Sequence, residues 1–411
     1  MQIAGLDIGS HNIKLIVGEV GKSGEIKIMK VWKVPSRGVR KGAIYDIDEV
    51  ALATSDIFSA LRKDFKAASK NIYVNVNGPQ ISSRSSKGII AVSRADNEIY
   101  KDDIDRVIKA SQAVAISPNR RIIHTITREF VVDGVKDILD PQGLVGNRLE
   151  VESIIIDAFS MYLANLTKLI ELNGCKIGGF VIGPLSSSRA VLTKKQKELG
   201  VVLLDIGAAT TGMAVYEESK LLHSAIFPIG AGHITNDVAV GFKIPVADAE
   251  SVKLQFGYAM SRSVPQKESI DLRLISADVR GTVGKRFLSE IIESRLAEIF
   301  ELVNNELKSI GKAQQLPAGV IISGGGAKLL GIQDLAREEL RLSSQLGVTE
   351  GNFPIIDPDY KAELEDPEFV CATGLLLCGA EYSKKDGILD FVDWGNPVTS
   401  FLKSFLKNLL P

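Results

Sequence analysis

Two widely separated stretches of this 411-residue chain spell the same short pattern, and no other feature limits the fold as much. The first copy runs Ile3-Ala4-Gly5-Leu6-Asp7-Ile8, then Gly9-Ser10-His11-Asn12, then Ile13-Lys14-Leu15-Ile16-Val17. The second runs Val201-Val202-Leu203-Leu204-Asp205-Ile206, then Gly207-Ala208-Ala209-Thr210-Thr211, then Gly212-Met213-Ala214-Val215-Tyr216. Each reads as an apolar strand ending in Asp-Ile-Gly, a turn of small polar residues, and a second apolar strand. Solenoid repeats recur every ~20–50 residues. A copy this far along the chain means two duplicated domains that open on the same hairpin. The length suits two cores, because one core stops growing near ~250–300 residues.

Between the hairpins the pattern is mostly alternating strand and helix, which predicts an α/β fold. Ile47, Val50, Leu52, Ile57 and Leu61 recur at helical spacing, and a strand follows at 71–76. From 82 to 152 the rhythm breaks into short strands at 88–92, 122–126 and 129–132 around a helix at 101–114. The expected organisation is a first domain at 1–82 and 153–199 with a small α+β insert at 83–152. A second domain follows at 200–382, with 232–311 as its smaller part, then a linker at 383–393 and a terminal segment at 394–411.

Composition narrows the class. Apolar residues make up 45% and charged residues 24%, as in ordinary globular proteins, and the formal net charge of −1 gives no basic surplus for nucleic acid. Cys371 and Cys378 share one face of an apolar helical stretch and Cys175 stands alone, so all three read as core thiols in a reducing compartment. No signal peptide precedes the first strand, and no apolar run approaches the ~20 residues that span a bilayer. An intracellular protein is expected.

The turns carry the chemistry. A turn rich in small residues between two strands leaves convergent backbone N–H groups, which cradle an anion. Asp7 and Asp205, closing the first strand of each hairpin, would face one cleft and could hold a hydrated Mg²⁺ beside nucleotide phosphates. Gly9, Ser10, His11 and Asn12 in one turn, and Gly207, Ala208, Ala209, Thr210 and Thr211 in the other, are the phosphate-side candidates. A single such turn is usually only a well-made hairpin; two of them heading duplicated halves point to a paired site. A third element is the predicted strand 319–323 running into Gly324, Gly325 and Gly326, then Ala327 and Lys328. It would let backbone approach a ribose or planar base closely, although alone it could be any tight strand-to-helix turn. Glu250 and Lys253 lie three apart on a predicted helix. They are either a surface ion pair of small worth or a clamp on ribose and adenine.

These four elements, in this order, resemble the superfamily of actin, sugar kinases and heat-shock chaperones. Within it the chain resembles the FtsA family of bacterial cell-division proteins. The resemblance rests on Arg121-Ile122-Ile123-His124, Glu129 to Gly134 and Asp140 to Glu150 in the insert, on Ser187 to Leu192, on Pro228 to Thr235, and on Ala249 to Lys253. It covers essentially the whole chain, and implies an actin-like fold that binds ATP with Mg, with Gly232 added to the site. Two departures stand out. The family's second loop usually reads Asp-Ile-Gly-Gly-Gly-Thr-Thr-Asp where this chain has Ala208, Ala209 and Gly212, and His11 replaces a small residue. An alanine at any position needing positive φ would be strained.

The terminal segment predicts an amphipathic helix. Asn396-Pro397 offers a cap, and Val398, Phe401, Leu402, Phe405, Leu406 and Leu409 recur at three- and four-residue steps, with Lys403 and Lys407 among the residues opposite. Following a polar linker, it reads as a membrane-surface helix. The family resemblance implies a scaffold that polymerises into filaments, binds the C-terminal peptide of FtsZ, and anchors the FtsZ ring to the cytoplasmic face of the membrane at the division site, where it recruits downstream division proteins. Arg286 and Arg295 are the candidates for the peptide carboxylate. Hydrolysis is expected to be slow or absent, since 183–190 offers no acid; upstream, Asp157 is the candidate. The alternatives are a PilM-like pilus adaptor and an actin-superfamily kinase or phosphatase.

Overall fold

The computed structural model describes residues 1–382 apart from 23, 115, 276–280 and 350–357, together with a two-residue strand at Asp390–Phe391. The segment 394–411 and most of the expected linker lie outside the described residues.

Two five-stranded sheets with the same strand order carry the two halves. In the first, strands run in the order Ile177–Ile182, Ile72–Val76, Gln2–Ile8, Asn12–Val20, Ile26–Pro35. In the second the order is Ser344–Leu346, Val320–Ser323, Val201–Ile206, Thr211–Glu217, Lys220–Phe227. In both, the hairpin and its next strand are antiparallel, while the neighbours on the other side pair in parallel. Every residue of Ile3–Ile8 is buried, as are five of the six in Val201–Ile206. Burial on both faces explains why these strands read as continuous apolar runs without alternation. The duplication expected from the hairpins extends to whole sheets.

Two helices pass between the sheets. Gly183–Val191 and Val370–Tyr382 are buried almost throughout and pack on each other. Their approach is close enough that a Cβ at Gly374 would come within 1.8 Å of the Ser186 carbonyl oxygen. Cys371 and Cys378 lie on the second of these helices, and all three cysteines are buried free thiols.

The insert is a sheet of its own with a small core of Val92, Ile99, Val107, Phe130, Val132, Leu149 and Val151. Its strands are Ser82–Ala91, Arg120–Val132 and Arg148–Phe159, with Val135–Ile138 beside the second and helix Lys101–Ser111 packed on the first. The two short strands read at 122–126 and 129–132 are one, and the long central strand 148–159 escaped the sequence reading. Register shifts at Glu152/Ser153 and Ile156/Asp157 break its alternation, which hides the period of two. This strand runs past 152, so the sheet of the insert continues to Phe159. Residues Asp390–Phe391 pair with the free edge of Arg120–Val132 at Thr125 and His124.

Candidate functional site

The two hairpin turns have the same geometry. Gly9 N donates to Asn12 O at 3.1 Å, and Gly207 N donates to Thr210 O at 2.9 Å. Both turns open on one cleft of ≈ 340 Å³ between the sheets, a size within the ~300–1,000 Å³ of small-molecule pockets. Asp7, Gly9, Ser10, His11 and Asn12 line it from one side, and Asp205, Gly207, Ala208, Ala209 and Thr210 from the other. Gly232, Glu250, Lys253, Gly324, Gly325, Gly326 and Lys328 complete the wall. Thr211 is the exception. It is buried behind the turn and its hydroxyl donates to Ile229 O at 2.8 Å, because position 211 is the first residue of the second strand and points inward. Neither Ala208 nor Ala209 has positive φ, so the strain expected from alanine in the second turn does not arise.

The carboxylates differ in a way the register explains. Asp7 sits directly across from Lys14 and its Oδ2 accepts from Lys14 Nζ at 2.8 Å, while its Oδ1 accepts from Asn75 Nδ2 at 2.6 Å. Asp205 occupies the equivalent place but faces Gly212. No cation faces it across the ladder, and it accepts a 2.5 Å hydrogen bond from Ser187 Oγ. Burial therefore pushes the Asp205 carboxyl up to about 6; the Ser187 bond opposes the rise and the Asp7 charge adds to it. Lys14 is itself buried. Desolvation lowers its pKa, but the ion pair with Asp7 outweighs this and leaves it above the ordinary value.

On the far wall, Lys253 Nζ reaches Glu250 Oε2 at 2.7 Å and Thr235 Oγ1 at 2.8 Å, and Thr235 also donates to Glu250. Lys253 is buried, so this is a fixed polar cluster and not a loose surface pair. Burial raises the Glu250 pKa, but the Lys253 and Thr235 hydrogen bonds win and hold it below the usual carboxylate range. Of the three adjacent glycines, Gly324 is at φ +81° and a Cβ there would lie 2.4 Å from Asp205 Oδ1. A Cβ at Gly326 would meet Ile206 at 2.5 Å, whereas one at Gly325 would touch only Glu368 Cγ at 4.0 Å. Gly324 and Gly326 are required by packing; Gly325 alone leaves open space toward the cleft.

Sequence reasoning missed Lys14, Lys33, Thr235 and Glu368, all but Thr235 in the cleft wall. Lys14 carried a signal, a lone cation inside a wholly apolar strand. Glu368 carried none, since it enters the first half's turn from the far end of the chain. Asp157, weighed as an upstream acid, is fully buried in the insert between Arg84 and Arg120 and does not line the cleft. Arg286 and Arg295 lie on helix Lys285–Ser309. Nine residues at ~3.6 per turn put them about 180° apart around its axis, so they form no common patch. Arg295 is already forked onto Asp237 at 2.6 and 2.9 Å and onto Glu298, while the ion pair of Arg286 among the described residues is a 3.6 Å contact with Glu290. Among the described residues, no group of three or more His, Cys, Asp or Glu is placed to hold a metal ion.

Residues 202–374 match the model of the cell division protein FtsA family, and residues 78–157 match the SHS2 domain inserted in FtsA. The cell division protein FtsA of Bacillus subtilis is 34% identical over 93% of this chain and 84% of its own length. This chain belongs to the FtsA family. The FtsA of Borreliella burgdorferi is 32% identical over 98% of both chains, and that of Escherichia coli K12 is 28% identical over 99% of this chain and 96% of its own. These matches place the chain among cell-division proteins and decide against the PilM-like and kinase alternatives. The fold is actin-like. A PilM–PilN type IV pilus biogenesis complex chain superposes with a TM-score of 0.66 at 17% identity, covering 92% of this chain and 98% of that one. MreB5 of Spiroplasma citri bound to ADP superposes with a TM-score of 0.55 at 12% identity, covering 94% and 99%. No helix among the described residues is long and apolar enough to cross a membrane.

Proposed function

We propose that the cleft binds ATP with Mg²⁺, and that this FtsA-family protein is a polymerising adaptor that ties FtsZ to the cytoplasmic face of the cell membrane at the division site. The observation that carries the nucleotide reading is the pairing of two equivalent hairpin turns around one cleft, each with an aspartate at its base. Support comes also from Asp205, a desolvated carboxylate in the cleft wall with no cation across its ladder, whose charge a hydrated metal would compensate, and from the open space beside Gly325. The ion supplies charge neutralisation for phosphates. Asp7 and Asp205 would hold it, the two turns would donate backbone N–H groups to the phosphates, and Lys14 would add a buried cation. Glu250, Lys253 and Thr235 suit ribose hydroxyls and base, and the Gly324–Lys328 turn suits the adenosine. The solved MreB5 neighbour, whose ligand is ADP, supports a nucleotide in this kind of cleft. Titration calorimetry with MgATP tests the reading, and an absence of binding refutes it.

Hydrolysis is slow or absent on this reading. Asp157 is remote, and of the acids that line the cleft Glu368 is tied to Lys33, Glu250 to Lys253 and Asp7 to Lys14, while Asp205 accepts from Ser187. A turnover near the ~10 per second of ordinary enzymes contradicts this.

On its sequence pattern the segment 398–410 would act as an amphipathic membrane anchor, inserting Phe401 and Phe405 and setting Lys403 and Lys407 against an anionic surface, each lysine worth ~1 kcal/mol. One copy binds weakly, so filaments gain avidity. Full-length protein assembled with ATP should float with anionic vesicles and a 1–393 truncation should not; equal flotation refutes the anchor. The FtsZ C-terminal peptide docks on the 232–311 part, where Arg286 is the freer of the two arginines. Arg286→Glu should weaken that peptide, and unchanged affinity moves the site elsewhere.

A further inference from the structure

The chain segment Asp366-Pro367-Glu368 reaches the cleft through Glu368 and is fixed to both halves. On one side Asp366 Oδ2 accepts from Lys328 Nζ at 2.6 Å and Pro367 O accepts from Gly324 N at 3.0 Å. On the other, the Glu368 carboxylate accepts from Asn12 Nδ2 at 2.6 Å and from Lys33 Nζ at 2.6 Å, and its backbone carbonyl accepts from Lys14 Nζ at 2.8 Å. The carboxylate thus occupies the donors beside the first turn. Burial raises the Glu368 pKa, but Lys33, Lys14 and Asn12 together outweigh it and keep the group ionised below the usual carboxylate range. An anion of the chain itself is thus seated on Asn12, Lys33 and Lys14, which line the cleft.

We propose that Glu368 is a specificity-determining residue of the cleft, a built-in anion that competes with the terminal phosphate of a nucleoside triphosphate for Lys33 and Asn12. The inference rests on the nucleotide reading given above. Its physical basis is charge. A triphosphate carries one more phosphate and more negative charge than a diphosphate, so it gains more from Lys33 and loses more to a carboxylate in the same place. Charge-assisted contacts in a partly enclosed cleft are the strong ones. Glu368 therefore levels the affinities of the two nucleotides. The levelling makes occupancy follow the ratio of triphosphate to diphosphate. A triphosphate that takes Lys33 also frees the side chain of a segment leading directly into helix Val370–Tyr382, which packs on the helix between the sheets.

The test is titration calorimetry of the full chain with MgATP and MgADP, for the wild type, Glu368→Gln and Lys33→Met. Glu368→Gln keeps the backbone contacts of Pro367 and Glu368, so the segment stays in place. It should raise the preference for ATP over ADP about tenfold, which corresponds to ~1.4 kcal/mol. Lys33→Met, at a half-exposed side chain whose pairing with Glu368 is the contact under test, should lower that preference. If Glu368→Gln leaves the ratio unchanged or shifts it toward ADP while both nucleotides still bind, the competition is refuted and the nucleotide reading stands. If the wild type binds neither nucleotide, the reading itself fails and the inference falls with it.

Discussion

Replacing Asp205 by asparagine should make the ligand-free protein more stable at neutral pH while weakening its hold on MgATP. The magnitude follows from the hairpin register. Desolvation lifts the Asp205 carboxyl from 3.8 to about 6, and unlike Asp7 it has a glycine and not a lysine across the ladder to oppose the rise. The folded state keeps this proton up to about pH 6, whereas an unfolded aspartate releases it near 3.8. The native state therefore holds more protons between those values, and the stability of the empty fold falls as pH rises from about 4 to about 6 and is flat above. At ~1.36 kcal/mol per pKa unit, the loss above pH 6 is at most roughly 3 kcal/mol. Asparagine removes the charge, and its side-chain oxygen can still accept from Ser187. Urea unfolding at pH 8 should show Asp205→Asn stabilised by up to that amount, with the gain shrinking toward zero at pH 4. Saturating MgATP should reverse the order, because only the aspartate responds to the added cation. A stability difference that is the same at both pH values would refute the argument, since it would mean that the Asp205 carboxyl has the same pKa in the folded and the unfolded chain.

Other perturbations separate packing from ligand space. Gly325→Leu should abolish MgATP binding by calorimetry with an unchanged melting temperature, because a Cβ there meets nothing closer than 4.0 Å. Gly324→Ala, at φ +81° and pressed on Asp205, should instead cost ~1–3 kcal/mol of stability in urea unfolding. Arg120→Met should cost ~3–5 kcal/mol by the same measure, since it leaves the fully buried Asp157 with one cation in place of two.

Much of the fold was legible because the duplicated hairpins are local. Each turn, its flanking aspartate and its apolar strands lie within twenty residues, and pattern alone recovers them. The insert was read less well, for a physical reason. Its central strand Arg148–Phe159 carries Glu150, Glu152 and Asp157, and two register shifts move successive residues off the expected face. Charges that pair across the sheet, such as Glu152 with Lys87 at 2.5 Å, look like loop composition until the partner strand is known.

The site divides along the same line. Residues on the turns declared themselves, because glycine, alanine and hydroxyl residues between two strands have few other reasons to be there. Glu250 and Lys253 could not be decided from spacing, since the same i,i+3 pair serves a surface or a cleft. What decides them is Thr235, fifteen residues before Glu250 and on another helix, which fixes both side chains. Glu368 lies further out of reach. It meets Asn12 across more than three hundred residues, and nothing near it in sequence marks it as a cleft residue. Yet it sets the charge that a ligand meets on entering between the halves. A duplicated fold announces the features its two copies share. The features that make the two sides of this cleft unequal, Lys14 against Gly212 and an acid arriving from the chain's far end, are visible only once the copies are placed face to face.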